Sequence, residues 1–134
     1  MIFSIALVGL GNVGFKYDKS FKKNSYLTHY SAIVNSKGFR LTLAIDNDKK
    51  NRDEFEQVSK LKPISINELS SFKKKIDIVV IATPTETHFK IIEKVMILKP
   101  KLILCEKPLS ISRKETIEII KLCSSNNINL ELNY

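Results

Sequence analysis

Three of the four glycines in the chain lie within six residues, in the sequence G-L-G-N-V-G that begins at Gly9. This spacing can bind a pyrophosphate where a strand turns into a helix: Gly9 makes the tight turn, Gly11 lets the backbone approach the phosphates, and Gly14 lets the helix pack close to the strand. Backbone N–H groups at the start of the helix, at Asn12 and Val13, would then face the anion. The alternative is a turn that only requires a positive φ.

A second candidate group is the carboxylate of Asp46, which follows the apolar sequence L-T-L-A-I. A carboxylate at this point of a dinucleotide site accepts hydrogen bonds from the adenosine ribose and repels a 2′-phosphate, so it favours NAD over NADP. The nearest arginine that follows is Arg52, a turn or more into the next helix. The alternative is that Asp46 only caps that helix. The separation from the glycines exceeds the usual ~20 residues, and we attribute the excess to a polar insert at 16–26 that interrupts the first helix.

The elements that position these residues follow from the hydrophobic pattern. Consecutive Ile, Val and Leu residues indicate strands covered on both faces, and helical patterns lie between them. This alternation predicts a doubly wound, mostly parallel α/β sheet (a Rossmann fold) of about six strands, with helices on both faces and a single domain over 1–134. The predicted strands are 2–8, 39–45, 62–65 (weaker), 76–82, 101–106 and 128–134, and the predicted helices are 26–38, 48–61, 66–72, 85–98 and 110–127.

Composition excludes several classes of protein. The net charge of +8 comes from scattered lysines, 19 Lys against 3 Arg, rather than from one basic face, which argues against a nucleic-acid partner. No apolar run reaches the ~20 residues of a membrane span, and the N-terminus lacks a signal peptide, so we expect a cytoplasmic protein with no membrane partner. Cys105 and Cys123 fit no metal-ligand or redox spacing and are expected to be buried free thiols.

Two further motifs make the pattern more specific: A-T-P-T-E-T-H, from Ala82, and E-K-P, from Glu106. Together with the glycine turn and the strand-two acid, they resemble the Gfo/Idh/MocA oxidoreductases, which include glucose–fructose oxidoreductase, inositol dehydrogenase and several sugar-nucleotide dehydrogenases. The resemblance covers essentially the whole chain. The sequence T-H-Y-S-A, with His29 and Ala32, is similar to the H-x-x-A of the family's first helix, displaced by the insert.

The resemblance implies roles for individual residues near the nicotinamide half of the cofactor. Ala82, Thr83 and Pro84 would line the dinucleotide there. For His88, in the first turn of the following helix, a capping or packing role and a proton-transfer role both remain open.

The resemblance also assigns the E-K-P motif. Glu106 would contact the nicotinamide end, and Lys107 would bind the cofactor and act as the catalytic residue, since an ammonium group beside the hydride-transfer carbon orients a substrate hydroxyl and stabilises alkoxide charge. The alternative is that Lys107 is an ordinary surface lysine. In the family the Lys107–Pro108 peptide is often cis.

The resemblance implies an NAD-dependent dehydrogenase that transfers hydride between nicotinamide and a hydroxyl of a sugar or sugar nucleotide. Family members continue into a C-terminal substrate domain that is absent from this chain, so we expect a cofactor-binding domain that is inactive alone and part of a homo-oligomer at full length. The alternative is a dinucleotide-binding or sensing module without chemistry of its own. The E-K-P motif favours the enzyme, because a sensor has no need of a lysine at the hydride position.

Overall fold

The computed structural model describes residues 1–20 and 26–134 and contains a parallel sheet. Its five strands have the order β2-β1-β3-β4-β5, and every neighbouring pair is parallel. The strands are β1 Phe3–Val8, β2 Phe39–Ile45, β3 Ile78–Ile81, β4 Leu102–Glu106 and β5 Asn129–Asn133. The weak strand predicted at 62–65 is present only as an isolated parallel bridge between Ile64 and Ile45.

Helices connect the strands and cover both faces of the sheet. They are α1 His29–Val34, α2 Lys49–Ser59, α3 His88–Val95 and α4 Arg113–Ser125, with 3-10 turns at Lys16–Ser20, Ile66–Ser71, Thr85–Thr87 and Met96–Leu98. Within the described residues no helix is both long enough and apolar enough to cross a membrane. The predicted doubly wound Rossmann fold is confirmed.

Alternate residues of β1 point into two separate cores. Ala6 and Val8 pack with residues of α3 and α4 on one face, whereas Ile5 and Leu7 pack with residues of α1 and α2 on the other. Because both faces are covered, the strand carries no polar alternation, as the sequence pattern predicted.

The first helix is interrupted after the glycine turn, as the sequence predicted. His29 N–H donates to the carbonyl of Val13 at 3.2 Å, and Tyr30 N–H donates to the carbonyl of Gly14 at 3.0 Å. These carbonyls would otherwise bond to amides four residues later, so α1 resumes the helix across the insert. Residues 21–25 of the insert lie outside the described part of the chain. The regular helix is shorter than the predicted 26–38.

Candidate functional site

A cleft lies at the carboxyl ends of β1 and β3, where the chain leaves β1 toward β2 on one side and β3 leads to β4 on the other. Open parallel sheets bind ligands at such a switch point, because helix and loop starts diverge there and leave a crevice. The cleft encloses about 560 Å³. Its lining includes residues from three predicted binding segments: Gly9, Gly11, Asp46, Ala82, Thr83 and Pro84.

The three glycines of the turn meet three different surroundings. Gly9 has a φ of +100°, and a β-carbon there would lie 2.5 Å from the carbonyl oxygen of Ala82. A β-carbon on Gly14 would lie 2.0 Å from the carbonyl oxygen of Gly9. A β-carbon on Gly11, in contrast, would have no heavy atom within 4 Å. The outer glycines are therefore required by the fold, whereas Gly11 faces the open cleft.

Backbone donors accompany that open space. Among the described residues, the backbone N–H groups of Gly11, Asn12 and Val13 donate no hydrogen bond. The chain instead folds back on the carbonyl of Gly11, which accepts from Phe15 and Lys16 at 2.9 Å. The turn thus leaves a group of amide donors available to an anion.

The Asp46 carboxylate lines the cleft next to this turn and is held by the protein. Its Oδ2 accepts from Leu10 N–H at 2.8 Å and from Asn51 Nδ2 at 3.1 Å, and its Oδ1 accepts from Asp48 N–H at 2.8 Å. The N-cap of α2 is Asp48, whose carboxylate accepts from Lys50 N–H at 2.8 Å. Asp46 is therefore not the cap of that helix, and the capping alternative is wrong.

Arg52 lies closer to the acid than its sequence separation indicated. Its Nη1 donates to the carbonyl oxygens of Asp46 at 2.8 Å and Asn47 at 2.9 Å. The guanidinium reaches back along the first turns of α2 to do so. A cationic group is thus present beside the predicted ribose acceptor.

His88 joins the two loops that follow β3 and β4. Its ring is fully buried, with Nε2 2.9 Å from the carbonyl oxygen of Thr83 and Nδ1 3.1 Å from the carbonyl oxygens of both Pro108 and Leu109. The Sγ of Cys105 lies 3.4 Å from Nδ1, and burial, with a smaller contribution from Glu106, raises the pKa of this thiol to about 12. The contacts of His88 are those of a packing residue that holds two loops together.

The carboxyl end of β4 places Glu106 and Lys107 next to these loops. Glu106 Oε1 lies 2.6 Å from His29 Nε2 and accepts from Asn133 Nδ2 at 2.7 Å. The side chain of Lys107 is exposed, and its peptide bond to Pro108 is cis.

A family model described as an oxidoreductase family with an NAD-binding Rossmann fold matches residues 3–134. The chain belongs to the Gfo/Idh/MocA family. It is the family's NAD-binding domain, and the resemblance read from the motifs is confirmed. No curated protein matches this chain closely enough to count as a relative.

Solved structures of other oxidoreductases share the fold at low sequence identity. Myo-inositol 2-dehydrogenase from Lactobacillus plantarum is 20% identical with a TM-score of 0.75, over 99% of this chain and 36% of its own. The WlbA dehydrogenase from Bordetella pertussis, in complex with NADH and UDP-GlcNAcA, is 18% identical with a TM-score of 0.80, over 99% and 37%. A mutant 3-ketoreductase from Actinomadura kijaniata, in complex with TDP-benzene and NADP, is 13% identical with a TM-score of 0.78, over 100% and 39%. The chain thus spans little more than a third of the length of these proteins.

Sequence reasoning on this Gfo/Idh/MocA domain missed three contacts. It did not predict that His29 contacts Glu106, that Asn133 contacts the same carboxylate, or that Arg52 lies on the backbone of Asp46. The H-x-x-A and E-K-P motifs were both visible, but 77 positions separate His29 from Glu106 and nothing in either motif pairs them.

Proposed function

We propose that this chain is the cofactor-binding part of an NAD-dependent dehydrogenase that transfers hydride between nicotinamide and a hydroxyl-bearing carbon of a sugar or sugar nucleotide. The observation that carries the proposal is the glycine turn: Gly11 faces open space in the cleft, beside amide donors that have no acceptor among the described residues. A turn that only reversed the chain would need neither feature. The residues therefore fit a pyrophosphate.

The adenosine half of the cofactor is proposed to lie beside Asp46. A carboxylate offers about four acceptor sites, and three donors from the described part of the chain bond to Asp46. One acceptor site on Oδ1 is left for a ribose hydroxyl. The three bonds to the protein would fix the orientation of the carboxylate that accepts it. The negative charge disfavours a 2′-phosphate, while the Arg52 guanidinium nearby weakens that repulsion, so we propose a preference for NAD that Asp46 provides and Arg52 limits.

The nicotinamide half is proposed to lie over the ends of β3 and β4, because the ribose acceptor lies at the end of β2 on the opposite side of the crevice. Ala82, Thr83 and Pro84 line that side of the cleft. When bound, the nicotinamide ring would supply or accept the hydride. Glu106 would contact the ring's end of the cofactor.

Lys107 is proposed as the catalytic residue. Its ammonium group is exposed and follows Glu106 directly, so it can reach a substrate at the open side of the crevice. There it would donate a hydrogen bond to the substrate hydroxyl and stabilise negative charge on that oxygen as hydride is transferred. A substrate domain outside residues 1–134 would hold the sugar.

The proposal is tested by calorimetric titration of the chain with NAD⁺. The wild-type chain and Gly38→Val, a control glycine outside the cleft, are expected to bind. Gly11→Val is expected to bind no cofactor, because a side chain there occupies the space of the pyrophosphate, while its circular dichroism stays that of the wild type. Absence of NAD⁺ binding by the wild-type chain, or normal binding by Gly11→Val, would refute the proposal.

A further inference from the structure

A contact between His29 and Glu106 joins the start of α1 to the end of β4. His29 begins α1 and bonds through its N–H to the turn after β1, whereas Glu106 ends β4. Since β3 lies between β1 and β4 in the sheet, the contact of 2.6 Å between Nε2 and Oε1 passes the carboxyl end of β3. The pair therefore lies at the carboxyl ends of β3 and β4, over which the nicotinamide half of the cofactor is proposed to lie.

The contact fixes one oxygen of Glu106 and leaves the other available. Oε1 contacts both His29 Nε2, at 2.6 Å, and Asn133 Nδ2, at 2.7 Å. A carboxylate oxygen only accepts, so Nε2 carries the proton in this contact. Oε2 has no hydrogen-bond partner among the described residues, and the Glu106 side chain is 19% exposed. The carboxylate is thus held in one orientation by two side chains from different elements, with one oxygen open to a ligand.

We propose that Glu106, held in this way, makes the site favour the oxidised cofactor over the reduced one, with His29 as its positioning residue. The inference rests on the proposed function. The nicotinamide ring carries a positive charge in NAD⁺ and none in NADH, and the rest of the molecule is the same in both. A fixed carboxylate at that end attracts the cationic ring, and a charge interaction over a few ångströms in a partly screened site changes affinity by about tenfold.

His29 acts through Glu106 rather than on the cofactor directly. Without the Nε2 donor, Asn133 is the one described residue that still bonds to Glu106. The carboxylate can then rotate, so its charge is no longer held beside the ring. A glutamine at position 29 carries an N–H donor at nearly the same distance from the backbone as Nε2 and can hold Oε1. A leucine of similar size cannot.

The test is calorimetric measurement of the dissociation constants of the chain for NAD⁺ and for NADH under one set of conditions. Glu106→Gln, which keeps the shape of the side chain, is expected to weaken NAD⁺ binding about tenfold relative to NADH binding. His29→Leu is also expected to reduce the preference for NAD⁺ over NADH, whereas His29→Gln is expected to keep it. Tyr30→Phe, the neighbouring position in α1, is the matched control and is expected to leave both constants unchanged.

A double-mutant cycle separates positioning from a structural role. If His29 acts through Glu106, then in the Glu106→Gln background His29→Leu does not further change the ratio of the dissociation constants for NAD⁺ and NADH. If His29 had only a structural role, His29→Leu would weaken the binding of NAD⁺ and NADH equally in either background. A ratio unchanged by Glu106→Gln overturns the inference and leaves the proposed function standing, whereas a chain that binds neither cofactor overturns both.

Discussion

The α-carbon of Gly14 packs against the carbonyl oxygen of Gly9, so closely that a β-carbon on Gly14 would lie 2.0 Å from that oxygen. Both atoms belong to the backbone of the same turn, and neither can move without displacing the end of β1. The turn is therefore closed by contact between two glycines, and the room for a ligand lies at Gly11 between them.

Gly14→Ala is expected to lower the free energy of unfolding by about 1–3 kcal/mol, the usual cost of overpacking a well-filled site. Gly11→Ala, whose β-carbon meets nothing within 4 Å, is the matched control and is expected to change it by less than about 0.5 kcal/mol. Urea denaturation of both variants measures the difference. Equal stability of the two variants would show that the turn relaxes around Gly14.

Asp46→Ala is expected to weaken NAD⁺ binding roughly ten- to a hundredfold, because the loss of a hydrogen bond to a charged group costs about 1.5–3 kcal/mol. The wild-type chain is expected to bind NAD⁺ more tightly than NADP⁺, and Arg52→Ala to widen that preference by removing the nearby cation. Titration of each variant with both cofactors measures these effects. A wild-type chain that prefers NADP⁺ would contradict the assignment of Asp46.

Asp77 is expected to make stability depend on pH in the acid range. Hydrogen bonds from the backbone N–H and the hydroxyl of Ser4, at 3.0 and 2.9 Å, lower the pKa of Asp77 from 3.8 to about 2, against the opposing effect of desolvation. A carboxyl group whose pKa is lowered by folding stabilises the native state above its unfolded pKa, and this contribution is lost as pH falls toward about 2.

The measurement for Asp77 is urea denaturation at pH 7, 4 and 3. The stability difference between the wild type and Asp77→Asn is expected to be largest at pH 7 and to shrink as pH falls. Asp53→Asn, at an exposed position of α2, serves as the control. A difference that is constant over this range would contradict the prediction.

His88→Leu is expected to destabilise the protein by about 1–3 kcal/mol, because it removes the polar ring whose nitrogens face the carbonyls of Thr83, Pro108 and Leu109 in a fully buried position. His88→Gln keeps one amide donor and is expected to lose less. Thermal or urea denaturation measures both. If leucine were tolerated as well as glutamine, the hydrogen bonds of His88 would contribute nothing to joining the loops.

The 134-residue chain assayed alone is expected to bind NAD⁺ but to form no NADH with any sugar or sugar nucleotide. Hydride transfer requires the substrate carbon to be held against the nicotinamide, and such positioning can supply about 7–11 kcal/mol of the barrier. Lys107 provides one contact toward that geometry. A nicotinamide absorbance assay, with a full-length Gfo/Idh/MocA dehydrogenase as positive control, measures the rate. Formation of NADH at a rate near that control would mean that the chain is a complete enzyme.

The fold was predictable because its signals are local. Uninterrupted apolar runs such as Ile78–Ile81 indicate buried parallel strands, and the helical patterns between them imply crossovers. The predicted strand at 62–65 is present only as the Ile64 bridge, because the segment has four residues and Pro63 has no N–H to donate to a neighbouring strand. Helix bounds were less predictable, because the first N–H groups of α1 donate to the carbonyls of Val13 and Gly14 across the insert.

The sequence by itself determined part of the lining of the cleft, including Gly11, Asp46 and Thr83, because glycine spacing and the acid after β2 are tied to the strands that carry them. Only the tertiary structure decided what those residues contact. Asp48 rather than Asp46 caps α2, Arg52 folds back onto the carbonyl of Asp46, and His29 meets Glu106. These contacts depend on side-chain direction and on which strands become neighbours, and neither is encoded in the spacing of a motif along the chain.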